Sequence, residues 1–325
     1  MIIFIEILRI IIESYISDTW FKTIMRVLVT GGAGFIGKHL VKSLIEKGNT
    51  VTIFDDFSNS KKDSVVALVN IGVKIIEGSI TELEDITNAT KEHDVVVHLA
   101  AKISVDESIK NPSETFHINV DGTKNVLIAC EKNHVKKMII ASSAAVYGES
   151  LPEIKLTENS EINPISPYGE SKVIMEREIR EFIAKNTVNC VILRFFNIYG
   201  VEQSPEYAGV ITKFIKRIAM NKPLEIFGDG MQTRDFVSIK DVINSIYDAI
   251  ENGKNGTYNI ASGKTVKIKE LAKFMISSSK KDLEIIYSNA KKGDIRFSHA
   301  DISLAKKELR YSPKYGLEEI KSLLN

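Results

Sequence analysis

Tyr168 and Lys172, four residues apart in the run SPYGESK, are the pair best suited to proton chemistry in this chain. Ser166 is a good N-cap and Pro167 suits the first helical position, so the run opens a helix and the spacing places both side chains on one face. A free tyrosine ionises only near pH ~10, but an adjacent ammonium favours the phenolate, and a cationic cofactor ring nearby adds to that. Tyr168 is then a candidate acid/base. Ordinary amphipathic helices also carry such pairs, and Ser143 sets this one apart. It follows the apolar run 138–141, at the carboxyl edge of a strand where ligands bind in open α/β sheets, and its hydroxyl can bond a substrate hydroxyl.

Upstream, RVLVTGGAGFIG (26–37) sets Gly31, Gly34 and Gly37 where a buried strand turns into a helix. Glycine there permits the tight turn, the approach of backbone to a pyrophosphate, and close packing of helix on strand, while the helix N-terminus offers free N–H groups to phosphate. The run describes a dinucleotide cradle. Residues 27–29 form an apolar strand, 39–47 continue as a helix ending at Gly48, and 51–54 make a second strand ending in Asp55. An acidic residue in that place binds the adenosine ribose hydroxyls and repels a 2′-phosphate, so NAD is favoured over NADP.

The elements that must position these residues recur regularly. Apolar strand-like runs fall at 27–30, 51–54, 74–76, 95–99, 137–141 and 190–195 with helical stretches between most of them, which implies an α/β, Rossmann-type doubly wound parallel sheet. After Tyr199-Gly200 the pattern becomes shorter and mixed: a helix near 210–220, a turn at Gly228-Asp229-Gly230, a strand near 258–261. We read residues 25–200 as the NAD-binding domain, with a return segment about 235–261, and 201–325 mainly as a smaller C-terminal substrate lobe. The substrate is expected between the lobes, at the carboxyl ends of the strands.

Bulk composition narrows the class. The chain has 325 residues, 44% hydrophobic and 26% charged, enough for a large core and one appended lobe. Forty-three basic against forty-two acidic residues leave no basic field for nucleic acid. Cys130 and Cys190 sit in apolar runs without metal spacing, so buried free thiols in a reducing, cytoplasmic setting are expected, and no metal. The start, MIIFIEILRIIIESYI, is apolar, yet Glu6, Arg9 and Glu13 make it too charged and too short for a membrane span, and it lacks a basic start and an Ala-x-Ala cleavage site. Residues 1–24 are read as a leader outside the fold, the alternative being a surface-lying amphipathic helix.

GGAGFIG, Asp55, HLAA, Asn119 in NVDGT, SSAAVYG, YGESK and RFFNIYG follow one another as in the extended short-chain dehydrogenase/reductases. From residue 25 to about 324 the chain resembles a nucleotide-sugar epimerase of the UDP-glucose 4-epimerase type. The resemblance implies that Gly31, Gly34 and Gly37 with Phe35 and Ile36 hold the pyrophosphate of NAD. Asp55, Asn59 and Ser60 would surround the adenosine, with Ser79 and Ile80 at the adenine. Leu99, Ala100 and Ala101 would line the cofactor, Asn119 would support it, and Phe196 would approach the nicotinamide. Ser143, Tyr168 and Lys172 would form the catalytic triad, Lys172 also binding the ribose. Asn197 and Arg234 would take the UDP diphosphate, and Lys291 and Asp294 would clamp phosphate and ribose.

Two positions depart from the family pattern. Lys291 stands where arginine is usual and lacks its bidentate fork, and Ser79 replaces a common aspartate. In the family, the residue four after the Asp of Gly293-Asp294 lines the pocket near the sugar C2 substituent. Here it is Ser298, small enough to admit an N-acetyl group. The resemblance implies 4-epimerisation of UDP-glucose/UDP-galactose, and of the acetylated pair, through a 4-keto sugar, by a homodimer joined through helices containing 123–132 and 172–185. Dehydratases of the same fold carry an Asp-Glu pair where Ala144 and Ala145 stand, and decarboxylases an acid there. A UDP-glucuronate 4-epimerase or decarboxylase, a non-catalytic NAD sensor and a simple NADPH reductase are the remaining alternatives.

Overall fold

Valine and isoleucine alternate in orientation along the strands, and here both orientations are buried, as a sheet covered on two faces demands. In the computed structural model, which describes residues 24–152, 154–203, 209–290 and 295–324, seven such strands form one parallel sheet in the order β10-β6-β5-β4-β1-β2-β3. They are β1 (Arg26–Thr30), β2 (Thr50–Asp55), β3 (Lys74–Glu77), β4 (Val95–His98), β5 (Lys137–Ser143), β6 (Asn189–Phe195) and β10 (Gly256–Ile260). Successive residues serve opposite faces. Val27 and Val29 join the core under one pair of helices, Leu28 the core under the other.

The longer helices are α1 (Phe35–Glu46), α2 (Gly122–Lys132), α3 (Pro167–Ile183), α4 (Val210–Ala219), α5 (Ile239–Asn252) and α6 (Ile268–Ser279). Leu40, Val41 and Leu44 of α1 and Val242, Ile246 and Ala249 of α5 cover one face of the sheet; Val126 and Cys130 of α2 and Met175 and Ile179 of α3 cover the other. Cys130 and Cys190 are free and buried within that second layer.

The smaller lobe has two short sheets. β7 (Asn197–Tyr199) and β11 (Thr265–Lys267) flank β9 (Thr233–Ser238), and β12 (Ile285–Ser288) pairs parallel with β8 (Leu224–Phe227). Phe214 and Ile218 of α4, Leu271 and Met275 of α6, Leu224 and Ile226 form its core. The chain therefore leaves the large sheet at Phe195, builds part of the lobe, and returns through α5 and β10. Strand order reverses between β1 and β4, which opens a crevice at their carboxyl ends.

Candidate active site

That crevice is the mouth of a cavity of about 660 Å3 reaching from the glycine turn to the small lobe. Its floor is built at β1. Gly31 has φ +67°, and a Cβ there would lie 2.7 Å from the Ala100 nitrogen, so only glycine lets the β1 and β4 ends meet. A Cβ on Gly37 would land on the Gly31 carbonyl, which makes Gly37 the close-packing glycine of α1. Gly34, the N-cap of α1, differs: a Cβ there would meet only the Gly31 oxygen, at 3.2 Å, and otherwise fill the cavity. The first-turn N–H groups of Phe35 and Ile36 have no acceptor within the helix and face the same space.

Asp55 ends β2 at the cavity wall and braces the turn. Its carboxylate accepts the Ala33 N–H at 2.9 Å, the Phe57 N–H at 2.9 Å and the Ser60 hydroxyl at 3.2 Å. Burial pushes its pKa up, and those three donors pull it back. Asn59, Ser60, Ser79, Ile80, Leu99, Ala100 and Ala101 line the cavity with it. Ser79 Oγ pairs with Thr81 Oγ1 at 2.7 Å, so the serine hydroxyl is tied into its own turn.

At the other wall, β5 and α3 are clamped by successive turns of the helix. Ser166 caps α3 by accepting the Gly169 N–H at 3.1 Å, as its residue type predicts. β5 runs two residues further than its apolar core suggests and ends at Ser143, opposite Tyr168. One turn on, Lys172 Nζ donates to the Ala141 carbonyl at 2.9 Å. A further turn on, Glu176 accepts the Ser142 hydroxyl at 2.6 Å and the Arg194 guanidinium through both oxygens, at 2.9 and 2.6 Å. Ser143, Tyr168 and Lys172 all line the cavity.

The electrostatics correct one expectation. Tyr168 is raised above its ordinary pKa, chiefly by burial, with only the Ser143 hydroxyl pulling down. The Lys172 ammonium, spent on the Ala141 carbonyl, does not lower it. Burial brings Lys172 itself down to about 8, against the pull of Glu176. The charge that would favour a phenolate must therefore arrive with a bound cofactor.

Two further sequence assignments change. Asn119, expected at the cofactor, is buried and absent from the cavity wall; its side chain receives the Lys102 N–H at 2.8 Å and donates to the Lys102 carbonyl at 2.9 Å and to Ser171 Oγ at 2.9 Å. It holds the site from behind. Ser298, expected beside the sugar, is 6% exposed and likewise outside the cavity lining. Its strand of chain is drawn aside: Glu149 accepts the Arg296 and Phe297 N–H groups, and Leu156 bonds both the His299 carbonyl and the Asp301 N–H. Arg234 does line the cavity, and Asp235 does not pair with it, because the Asp235 carboxylate takes Ser262 and Gly263 N–H groups at 2.9 and 3.0 Å. Lys291, Asp294 and the leader through residue 23 lie outside the described residues.

Phe196 and Asn197 sit in the wall where sequence placed them. Asn197 Nδ2 bonds the Asp235 carbonyl at 3.1 Å, which ties β7 to β9. Lys102, Gln203, Lys213, Phe227 and Gln232 also line the cavity and were missed. Gln232 lies between the Gly228-Asp229-Gly230 turn and Arg234 and was findable there; Lys213 reads as one more solvated helix lysine.

Residues 27–261 match the model of the NAD dependent epimerase/dehydratase family. The chain belongs to that family. A UDP-glucose 4-epimerase of Bacillus subtilis is 31% identical over 322 residues, covering 91% of this chain and 94% of that one. A Thermotoga maritima UDP-glucose 4-epimerase, solved with UDP-glucose, superposes with a TM-score of 0.87 at 35% identity, over 92% of this chain and 97% of that one. A UDP-N-acetylglucosamine 4-epimerase of Methanobrevibacter ruminantium M1, solved with UDP-N-acetylmuramic acid, gives 0.85 at 35% identity, over 93% and 96%.

NAD, the cofactor of this epimerase/dehydratase family, fits what the cavity offers. The open Cβ position at Gly34, the first-turn N–H groups of α1 and the Asp55 carboxylate at the end of β2 fit a pyrophosphate cradle and a ribose acceptor in line. Among the described residues, no group of three or more His, Cys, Asp or Glu side chains is placed to hold a metal ion, and no helix is long and apolar enough to cross a membrane.

Proposed function

We propose that this chain interconverts the C4′ epimers of UDP-hexoses, with UDP-glucose and UDP-galactose as the principal pair. One observation carries the reading: Ser143, Tyr168 and Lys172 face the same cavity as the glycine cradle at one end and Asn197 and Arg234 at the other. Arg234 offers a planar fork to the diphosphate, and Asn197 a second polar contact. Ser143 orients the 4′-hydroxyl and Tyr168 takes its proton, while Lys172 binds the ribose and shares the positive charge. Bound in the cradle, NAD would supply the hydride acceptor that C4′ oxidation to the 4-keto sugar needs and the donor that its reduction needs. The sugar turns over while its UDP remains held, and Tyr168 gives the proton back.

The residues after Ser143 support epimerisation over elimination of water. Ala144 and Ala145 stand in the 3-10 turn directly after Ser143, at the positions where dehydratases of the same fold carry an Asp-Glu pair. The nearest following carboxylate, Glu149, is occupied by the Arg296 and Phe297 N–H groups. The acetylated pair belongs to the proposal through the likeness to the Methanobrevibacter enzyme rather than through Ser298. We also infer a cytoplasmic homodimer, joined through the outer faces of α2 and α3, where Ile128 is exposed.

Incubating the protein with UDP-glucose, UDP-galactose, their N-acetylated counterparts and UDP-glucuronate, then resolving products by chromatography, tests the reading. Interconversion within a hexose pair is expected. Turnover of UDP-glucuronate alone, or release of water or carbon dioxide, would replace it with the uronate or lyase alternatives.

A further inference from the structure

β4 ends in a buried histidine whose hydrogen bonds can be given a direction one at a time. Thr123 Oγ1 lies 2.6 Å from the Asn119 carbonyl oxygen. A carbonyl only accepts, so the single hydroxyl proton of Thr123 is committed there. The same oxygen lies 3.0 Å from His98 Nε2 and can only accept from it, so Nε2 carries a proton. On the other side of the ring, Nδ1 is 2.7 Å from Thr30 Oγ1, whose oxygen receives the Ala100 N–H at 3.3 Å. His98 is 2% exposed, and burial with the nearby Lys172 charge holds it down to about 3, so the ring is neutral and Nδ1 is bare. Thr30 therefore donates to Nδ1. One chain of bonds results, from the Ala100 N–H through Thr30 to Nδ1, and from Nε2–H through Thr123 to the Asn119 carbonyl.

Both ends of this chain reach the site. Thr30 immediately precedes Gly31, and Ala100 lines the cavity. At the far end, Asn119 sits in a π-turn, His117–Asp121, that interrupts the helix leading into α2. Its side chain donates to Ser171 Oγ at 2.9 Å, and the Ser171 hydroxyl donates to the Tyr168 carbonyl at 2.7 Å. The imidazole thus spans the gap between the glycine turn and the π-turn, with an acceptor on one side and a donor on the other. A rigid ring bearing nitrogens at opposite edges fills that role.

We propose that His98, as the neutral Nε2–H tautomer, is a positioning residue that holds the cofactor floor at Ala100 and the Tyr168 helix in one register. The proposal rests on the reading of Tyr168 as the proton-transferring group. Through the Asn119–Ser171 link, His98 fixes where the phenol stands relative to the floor. A misplacement of about 1 Å between them costs on the order of 10²-fold in rate.

The tautomer is read directly on the wild-type protein by nitrogen NMR of 15N-histidine-labelled chain, with and without NAD. The expected spectrum shows a bonded proton on Nε2 alone, unchanged across the range in which a free imidazole titrates. A proton on Nδ1, or titration in that range, overturns the assignment. The positioning role is read from Thr123→Val, which removes the acceptor of His98 Nε2–H and keeps the His98 and Thr30 side chains. Its kcat is expected to fall roughly tenfold or more, with the NAD dissociation constant within about twofold and activity restored in Thr123→Ser. Unchanged kcat in a folded Thr123→Val, or equal loss in Thr123→Ser, overturns the role. The NMR result needs no sugar substrate, so it stands or falls apart from whether any UDP-hexose is turned over.

Discussion

Tyr168 is half-buried and its pKa is raised, so its hydroxyl is protonated until the cofactor's charge arrives, and that hydroxyl is the atom that carries the proposed proton transfer. Tyr168→Phe is therefore expected to lower turnover by roughly 10²–10⁴-fold while thermal unfolding and NAD retention stay as in the parent chain. Activity near that of the parent would remove Tyr168 from the chemistry. Lys172 carries a second, pH-dependent signature. With its folded pKa at about 8 against 10.5 for the ordinary group, it binds fewer protons folded than unfolded between those values. Its burial thus costs stability at neutral pH, and the cost fades as pH rises from about 8 to 10.5. The stability difference, Lys172→Met minus the parent, is expected to fall by on the order of 3 kcal/mol across that window in cofactor-free protein, measured by urea unfolding. A difference constant with pH would mean that the ammonium is solvated. The Tyr–Lys spacing and the Ser166 cap were legible because both are local. The direction of the tyrosine shift was not, because it depends on what Lys172 Nζ bonds to across the sheet. Ser298 failed for a similar reason: counting from a motif gives a position along the chain, whereas Glu149 and Leu156 decide which way the chain turns.

The glycine turn divides its work between two residues that sequence treats alike. Gly37 is where α1 rests on β1, and Gly34 is where the cavity begins. Gly37→Ala is expected to destabilise the fold by about 1–3 kcal/mol, since the helix must move off the strand. Gly34→Ala is expected to unfold like the parent yet bind NAD weakly, because its methyl occupies cofactor space. Chemical denaturation and NAD titration separate the two, and a stable, NAD-binding Gly34→Ala would disprove the cradle. Strand periodicity revealed most of the large sheet, since most of its strands carry a short apolar run. The π-turn at His117–Asp121 left no such trace: it is a one-residue change in helical pitch, yet it decides that Asn119 supports the site from behind. The small sheets of the lobe were also illegible, because β7 and β11 have three residues each and gain their partners only after long excursions.

The two lobes are joined by a chain that crosses between them and returns, so the cavity wall belongs to both and the site exists only when both are folded. Oligomeric state is the coarsest property the proposal addresses. Light scattering at micromolar concentration is expected to give the mass of two chains, and replacing the exposed Ile128 by glutamate to shift it toward one; a monomeric parent would contradict the dimer. The central claim, that one site removes hydrogen from C4′ and returns the same hydrogen to the opposite face, is tested most directly by running UDP-glucose in deuterium oxide. The expected product is UDP-galactose with no deuterium at C4′, since the sugar's carbon-bound hydrogen never passes through solvent. Deuterium at C4′ of the epimer, or a product other than the epimer, would contradict it.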